Sequence, residues 1–107
     1  MVYREAGGRW TRQVIDETIA DGHSIVVGDF DGDGNDELVV GERQGRRSAY
    51  IYRIADARAD SWSRQPLDDG GMAAAGCAVA DLNGDKRPDV VCIGTATANL
   101  KWYENRP

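Results

Sequence analysis

An internal repeat constrains this chain more than any other feature of its sequence. Shifting the 107 residues by 52 positions aligns the two halves without a gap. The residues that are identical in the two halves lie in two clusters, a segment around a tryptophan and an acidic segment. They are Trp10/Trp62, Arg12/Arg64, Gln13/Gln65, Asp16/Asp68, Val27/Val79, Asp29/Asp81, Gly32/Gly84, Asp33/Asp85 and Val39/Val91. A unit of about fifty residues is typical of a propeller blade rather than of a helical repeat.

The local patterns also predict strands. Short β-branched or aromatic segments are bounded by Gly, Asp or Pro, and no segment has a sustained 3.6-residue apolar period. The predicted strands are residues 25–27, 38–40, 49–52 and 62–67 in the first unit, and 77–79, 90–93 and 100–103 in the second. Residues 54–60 are interpreted as a loop. We predict an all-β chain, a β-propeller built of four-stranded antiparallel blades, with about two blades per chain.

We expect residues 1–107 to form a single propeller segment, with repeat one at about 10–61 and repeat two at about 62–107. Two blades do not close a ring, which needs about four to eight. A tryptophan segment precedes the first acidic loop, and none follows the second unit. The N-terminal strand of one copy is therefore predicted to complete the C-terminal blade of another, in a homo-oligomer with six or eight blades. The alternative is a fragment with exposed sheet edges.

Charge excludes some function classes. The net charge of −5 disfavours binding to nucleic acid, because a nucleic-acid-binding protein needs a basic surface. It disfavours binding to anionic membranes for the same reason. No stretch without a charge is longer than residues 70–80, which are too few for a membrane span. The N-terminus has no apolar region of the kind found in signal peptides.

The two acidic segments have the composition of metal-binding loops. Each places side-chain oxygens at positions 1, 3, 5 and 9 and a Gly at position 4, where a tight curl is needed. The oxygens come from Asp29, Asp31, Asp33 and Glu37 in the first loop, and from Asp81, Asn83, Asp85 and Asp89 in the second. Oxygen ligands in this number suit Ca²⁺, and Mg²⁺ less well. A carbonyl at position 7 can join them.

EF-hand loops and metal-free turns have a similar composition. An EF-hand needs a bidentate Glu at position 12 and flanking helices. Val40 and Cys92 occupy that position here, inside predicted strands, so the EF-hand interpretation fails. Asp, Asn and Gly are also common turn formers without any metal, but two such loops at one offset favour metal binding.

The stretches 28–41 and 80–91 resemble the FG-GAP/VCBS repeat found in integrin α-subunit propellers and in bacterial secreted proteins, and residues 100–105 resemble the third strand of a bacterial blade. The resemblance covers nearly the whole chain. It implies that each loop joins the first and second strands of a blade and holds Ca²⁺. Glu37 stands where Asp is usual, and Lys86 replaces a common Gly. The implied ligands are Asp29, Asp31, Asp33, Asn35 (carbonyl) and Glu37, then Asp81, Asn83, Asp85, Arg87 (carbonyl) and Asp89.

The first loop offers four ligand carboxylates and the second three, so we predict that the first site binds Ca²⁺ more tightly. The expected function is a calcium-binding scaffold that self-assembles into a closed propeller. The alternative is a carbohydrate-binding or carbohydrate-processing propeller whose site forms in the assembled ring. No catalytic grouping can be built from the sequence, so we do not expect an enzyme. Calcium sites of modest charge favour an extracellular or periplasmic origin.

Three further groups of residues stand out. His23, the one histidine, is expected to be incidental. Cys77 and Cys92 are expected to be buried thiols, with a cross-strand disulfide as the alternative. Trp10 and Trp62 are expected to pack between blades; the alternative is a platform for sugars, with Tyr50, Tyr52, Trp102 and Tyr103 as further candidates.

Overall fold

The computed structural model describes residues 2–56 and 61–107, so the end of the loop predicted at 54–60 lies outside the described residues. Within those ranges the chain forms strands and no helix, and hence no helix that could cross a membrane. The strands are β1 (Val2–Ala6), β2 (Arg9–Gln13), β3 (Gly22–Gly28), β4 (Glu37–Glu42), β5 (Ala49–Ile54), β6 (Trp62–Asp68), β7 (Ala74–Ala80), β8 (Asp89–Gly94) and β9 (Leu100–Tyr103).

All strand pairs are antiparallel and fall into three sheets. The first sheet has four strands in the order β3-β4-β5-β6, and the second has three in the order β7-β8-β9. The all-β prediction and every predicted strand are confirmed. β2 pairs with β1, a strand that was not predicted from the sequence, and the completion of another copy's blade by the N-terminal strand stays a prediction. Gly7 and Gly8 join the two, and both have the positive φ that a tight two-residue hairpin requires.

The repeat reappears in the strand register. Ile25 lies opposite Val40 in the first sheet, and Cys77 lies opposite Cys92 in the second. Both pairs obey the 52-residue offset, as do the register shifts near the start of β3 and β7. The third strands differ: Ile51 opposes Val39, whereas Trp102 opposes Val91, an offset of 51. The ungapped alignment is therefore wrong by one residue there, because the β8–β9 connection is one residue shorter.

The core lies between the first and second sheets. Side chains alternate between the faces of a strand, so Val39 and Ile51 point from one sheet towards Val90 and Cys92 of the other. The buried cluster is Val39, Ile51, Met72, Ala74, Val90 and Cys92, with Val26, Phe30, Leu67, Cys77 and Tyr103 packed against it. The two sheets thus bury one face each against the other.

Polar contacts lock the sheets together. Asp68, at the end of β6, accepts hydrogen bonds from the Tyr103 hydroxyl at 2.6 Å and the Lys101 ammonium at 2.9 Å, both on β9. The backbone N–H of Cys77 donates to the Ser24 hydroxyl at 2.9 Å. These contacts fix the second sheet relative to the first, and with it the orientation of the two acidic loops.

Cys77 and Cys92 form a disulfide, so the expectation of free thiols is wrong. The register explains the bond. The two cysteines sit directly opposite each other on β7 and β8, with their Cα atoms 4.1 Å apart. The bridge ties together the two strands that flank the second acidic loop.

Candidate metal centre in the acidic loops

The first loop connects β3 to β4, and the second connects β7 to β8. The last cross-strand pair before the first loop is Gly28–Glu37, and the equivalent pair before the second is Ala80–Asp89. Position 9 of each loop is therefore already held on a strand, while positions 1 to 8 form the turn. This placement, between the first and second strands of a sheet, is the one that the sequence analysis expected.

Asp29 organises the first loop through the backbone. Its Oδ1 accepts the N–H groups of Gly32 at 2.8 Å and Asp33 at 3.1 Å, and its Oδ2 accepts that of Gly34 at 2.9 Å. Gly32 and Gly34 have φ of 76° and 90°, which side-chain-bearing residues rarely adopt. The loop therefore wraps around the Asp29 carboxylate, and this curl turns alternate side chains towards one point.

The carboxylates of the first loop converge. One oxygen from each of four residues lies within 4.8 Å of the others: Asp29, Asp31, Asp33 and Glu37. Four acidic groups this close repel one another unless a cation lies among them. The donor set consists of hard oxygens, so it fits Ca²⁺ in chemistry.

Glu37 is the unusual member of this group. Only 3% of its surface is exposed. Its Oε2 accepts the backbone N–H of Phe30 at 2.7 Å, which fixes the carboxylate beside the loop. Burial raises the pKa of Glu37, and the nearby Asp31 carboxylate raises it further despite the Phe30 hydrogen bond. The charged form of Glu37 is thus poorly stabilised by the protein alone.

The second loop has the same backbone network. Asp81 accepts the N–H groups of Gly84, Asp85 and Lys86 at 2.8, 3.1 and 2.8 Å. Lys86, which replaces the glycine of the first loop, has a φ of 69°. The two loops therefore share one fold even where the sequence departs from the pattern, at a backbone strain of about 1 kcal/mol for the lysine.

Their carboxylates are arranged differently. Among the described residues, the close grouping of acidic oxygens found in the first loop does not occur in the second. Asp89 is shorter than Glu37 by one methylene, and both of its oxygens accept backbone N–H groups: those of Asn105 at 2.8 Å and Leu82 at 3.1 Å. The Asn105 N–H is the main cause of a lowered pKa at Asp89. Asn83 contributes an uncharged side chain that also contacts Glu104 at 2.8 Å.

The predicted side-chain ligands are thus brought together in the first loop and only partly in the second. The carbonyl ligands predicted at Asn35 and Arg87 stay predictions. Sequence reasoning missed Arg53, whose Nε lies 3.9 Å from Asp31 Oδ2, and Asn105, whose amide donates to the Phe30 carbonyl at 2.6 Å. Arg53 lies near the end of β5 and Asn105 lies two residues after β9, and the sequence patterns gave neither side chain a role at the loops.

The other candidate residues have structural contacts. The His23 ring lies between the sheets, with Nδ1 2.9 Å from the Ala75 carbonyl and Nε2 3.1 Å from Arg43. Because the carbonyl can only accept, Nδ1 carries the proton and Nε2 accepts from the guanidinium. Tyr50 and Tyr52 are buried, which rules them out as sugar platforms. Trp62 is half-buried and Trp10 is 68% exposed in the single chain, so the packing of Trp10 between blades stays a prediction.

A comparison with protein families matches residues 29–92 to the FG-GAP-like repeat, which is more than half of the chain. This chain belongs to the FG-GAP-like repeat family. The resemblance inferred from the two loops is thereby confirmed. The FG-GAP-like match begins at the first residue of the first loop and ends on β8, so it includes both loops. Comparisons with curated proteins and with solved structures found no match.

Proposed function

We propose that this FG-GAP-like chain is a calcium-binding propeller segment that acts as a structural and interaction scaffold. The observation that carries the proposal is the convergence of four carboxylates in the first loop. A Ca²⁺ ion there would be held by Asp29, Asp31, Asp33 and Glu37, with the Asn35 carbonyl as a further ligand. The role is binding and scaffolding rather than catalysis.

The ion would act on stability through charge and through chain geometry. Two bound Ca²⁺ would change the net charge of the chain from −5 to −1, relieving repulsion within the loops. Each ion would also tie together the two strands that flank its loop. The second loop has three carboxylates and, among the described residues, not the close grouping of the first loop, so it is proposed as the weaker site.

An extracellular or periplasmic location is also proposed. Calcium is abundant there, which suits sites of modest charge. The Cys77–Cys92 disulfide adds a second reason, because disulfides persist mainly in oxidising compartments.

Self-assembly is the third part of the proposal. Two sheets bury only one face each against the other, and large apolar side chains remain exposed on their outer faces, among them Ile25, Ile93 and Trp102. Copies of the chain that stack these faces would form a ring of six or eight blades. A closed ring is the arrangement in which no blade keeps an uncovered face.

Carbohydrate binding is the second candidate function. It is favoured by the exposure of Trp10 and Trp102, because exposed indole rings can stack on sugars. Titration of mono- and oligosaccharides against tryptophan fluorescence would test it, with Trp10→Ala and Trp102→Ala as separate variants. Loss of a sugar-dependent signal in one variant would assign the platform; no sugar-dependent signal at all would remove this candidate.

Calorimetric titration with Ca²⁺ tests the main proposal. Asp33→Asn and Asp85→Asn are matched variants, since each removes the position-5 charge of one loop. We expect Asp33→Asn to weaken the tighter site by tenfold or more and Asp85→Asn to weaken only the other, with Mg²⁺ binding less well at both. Absence of binding heat, together with equal melting temperatures in calcium and in chelator, would refute the proposal.

A further inference from the structure

The two main sheets each leave an apolar outer face open. On the first sheet, Ile25 and Val27 are 64% and 51% exposed. On the second sheet, Ile93, Leu100 and Trp102 are 56%, 71% and 48% exposed. Contiguous exposed apolar side chains of this size mark interaction surfaces in soluble proteins.

The contact inside the chain shows what such faces pack against. The first sheet packs against the second through Val39 and Ile51. The equivalent residues of the second sheet are Val91 and Trp102, which lie on the open face of the second sheet. The second sheet is covered at Val90 and Cys92. Their equivalents are Leu38 and Val40, on the open face of the first sheet. The two open faces are therefore the two halves of the interface that already exists once within the chain.

We propose that the open face of the second sheet in one copy packs on the open face of the first sheet in another copy, head to tail, with β9 of the first copy taking the place of β1 beside β2 of the second. This deepens the self-assembly named above and rests on it. It does not rest on calcium binding. Because the two contacting surfaces differ, repetition generates a ring or an open chain of copies, and not a two-fold dimer.

The register of the N-terminal hairpin supports the exchange of strands. Val2 opposes Gln13 and Arg4 opposes Thr11, as Ile51 opposes Gln65 and Arg53 opposes Ser63 in the first sheet. The second positions of these pairs are related by the 52-residue offset. β1 and β2 thus have the pairing of the third and fourth strands of a blade, and β1 stands where a third strand belongs.

β2 and its equivalent in the first sheet, β6, pair through the same edge. In the first sheet, the backbone N–H of Ala55 donates to the Ser61 carbonyl at 2.8 Å, so the backbone groups of Ser61 face β5. By alternation, so do those of Ser63 and Gln65. In the hairpin, the pair Ala6–Arg9 closes a two-residue loop and is hydrogen-bonded, which makes Thr11 and Gln13 face β1. β1 and an incoming β9 therefore compete for one edge.

The segment after β2 is already placed for this arrangement. Asp16 accepts the Tyr52 hydroxyl at 2.7 Å, as Asp68 accepts that of Tyr103. The N–H of Arg43 donates to the Asp21 carbonyl at 2.9 Å, as that of Thr95 donates to Ala73. The chain from β2 onward thus contacts the first sheet as the chain from β6 onward contacts the second. The outer face of the first sheet therefore lacks only the neighbouring sheet that the second sheet's inner face already has.

The tightest point of the contact within the chain has small side chains. Gly41 approaches Ala74 so closely that a Cβ on the glycine would lie 2.4 Å from that of Ala74. Between copies, the equivalent positions are Ile93 and Gly22, and a Cβ on Gly22 would lie 3.0 Å from Cγ2 of Ile19. The contact between copies is therefore bulkier, and we expect its sheets to be spaced more widely than those within the chain.

Mixing two disabled variants tests the head-to-tail contact. Ile25→Lys disables the first face and Trp102→Lys the second, each at an exposed position that should leave the fold intact. Ser63→Lys is the control, because Ser63 is exposed and lies on the face of the first sheet that already packs within the chain. Mass measured by analytical ultracentrifugation, in calcium and in chelator, should show assembly of wild type and Ser63→Lys, single chains for Ile25→Lys and Trp102→Lys alone, and a two-chain complex when these two variants are mixed. Absence of that complex, or assembly unaffected by either lysine, would overturn the proposal. The calcium titration reports separately on the metal sites.

Cross-linking tests the exchanged strand. In the predicted register Glu104 of one copy lies opposite Thr11 of the next, at a Cα distance that a disulfide can bridge. A mixture of Thr11→Cys and Glu104→Cys chains should give at least tenfold more cross-linked dimer than Arg9→Cys with Glu104→Cys, which is two residues out of register. Equal yields would overturn the placement of β9.

Competition by β1 gives a third readout. Arg4→Pro removes an N–H that faces β2, whereas Tyr3→Pro removes one that faces away and is the matched control. Arg4→Pro should lower the concentration at half-assembly by tenfold or more relative to Tyr3→Pro. A higher value would mean that β1 supports the interface instead of blocking it, which would contradict the proposal.

Discussion

At the scale of single residues, Asp16 and Asp68 make the most similar contacts in the two repeats, and both side chains are mostly buried. Asp16 and Asp68 are 13% and 10% exposed, and each accepts the hydroxyl of a third-strand tyrosine. Burial alone raises the pKa of Asp68, but the hydrogen bonds from Tyr103 and Lys101 outweigh it and lower the pKa below its ordinary value. Each carboxylate is thus stabilised in its charged form by the sheet that it helps to hold.

Asp68→Asn should destabilise the protein by about 2 kcal/mol, most of it from the Tyr103 hydroxyl, because Lys101 is partly exposed. Since the folded-state pKa is lowered, this stability is present above pH about 4 and is lost as the pH falls below that value. Urea unfolding from pH 7 to 2 measures it. Tyr103→Phe, which removes the hydroxyl alone, should reproduce about half or more of the loss; an acid profile identical in wild type and Asp68→Asn would contradict this account.

Glu37→Gln should have effects of opposite sign with and without calcium. Without the ion, the substitution removes a buried negative charge from a group of four neighbouring carboxylates, so thermal stability should be unchanged or slightly higher. With calcium, a charged ligand is lost and the stabilisation by the ion should fall. Melting temperatures in calcium and in chelator measure both; a variant less stable than wild type in chelator would show that Glu37 has a purely structural role.

At the scale of elements, the hairpins around the two loops are secured differently. The β3–β4 hairpin carries Ile25 opposite Val40, whereas the β7–β8 hairpin has a disulfide at the equivalent pair. The first loop gathers four carboxylates, and the second loop fewer. Among the described residues, the hairpin whose loop does not gather its carboxylates closely is the one with the covalent link.

Reduction of the disulfide should therefore be felt most at the second loop. Opening a link between residues 15 apart should cost about 3 kcal/mol in the chain-entropy account. Urea unfolding with and without reductant measures the loss, with a Cys77→Ser/Cys92→Ser variant as the check on side reactions. In the reduced protein calcium affinity should fall at the second site and not at the first. Equal losses at both sites would show that the link acts on the whole fold.

At the scale of the whole molecule, stability is concentrated between the first and second sheets. β4, β5 and β8 supply most of the buried residues, while the described side chains of β1 and β2 are exposed apart from the half-buried Gln13. The N-terminal hairpin is joined to the rest of the fold mainly through the segment that follows it.

Native-state hydrogen exchange should reflect this division. Amides of β1 and β2 should exchange many times faster than those of β4, β5 and β8, because they open without disturbing the core. Measurement on dilute protein gives the single-chain value. If the proposed assembly forms at higher concentration, β2 should become protected there while β1 stays unprotected. Equal protection of the hairpin and the core in dilute protein would contradict the division.

Much of this fold could be predicted from the sequence, because its determinants are local. Alternating apolar residues, Asp–Gly turns and the 52-residue repeat predicted the strands β2 to β9 and the position of both loops. Repeated residues such as Asp29 and Asp81 gave the candidate ligands, because loop curvature depends on neighbours a few residues away. β1 was missed although Gly7 and Gly8 are a local signal for a two-residue hairpin turn, because residues 2–6 show no alternation of apolar and polar side chains.

The sequence by itself thus determined the class of fold, the family and the chemistry of the two loops, since short-range spacing sets all three. Only the tertiary structure decided that Cys77 and Cys92 are bonded, that Glu37 joins its neighbours while Asp89 turns to backbone N–H groups, and which sheet faces remain open. Each of these depends on strand register or on how the sheets pack, to which no local pattern in the sequence corresponds.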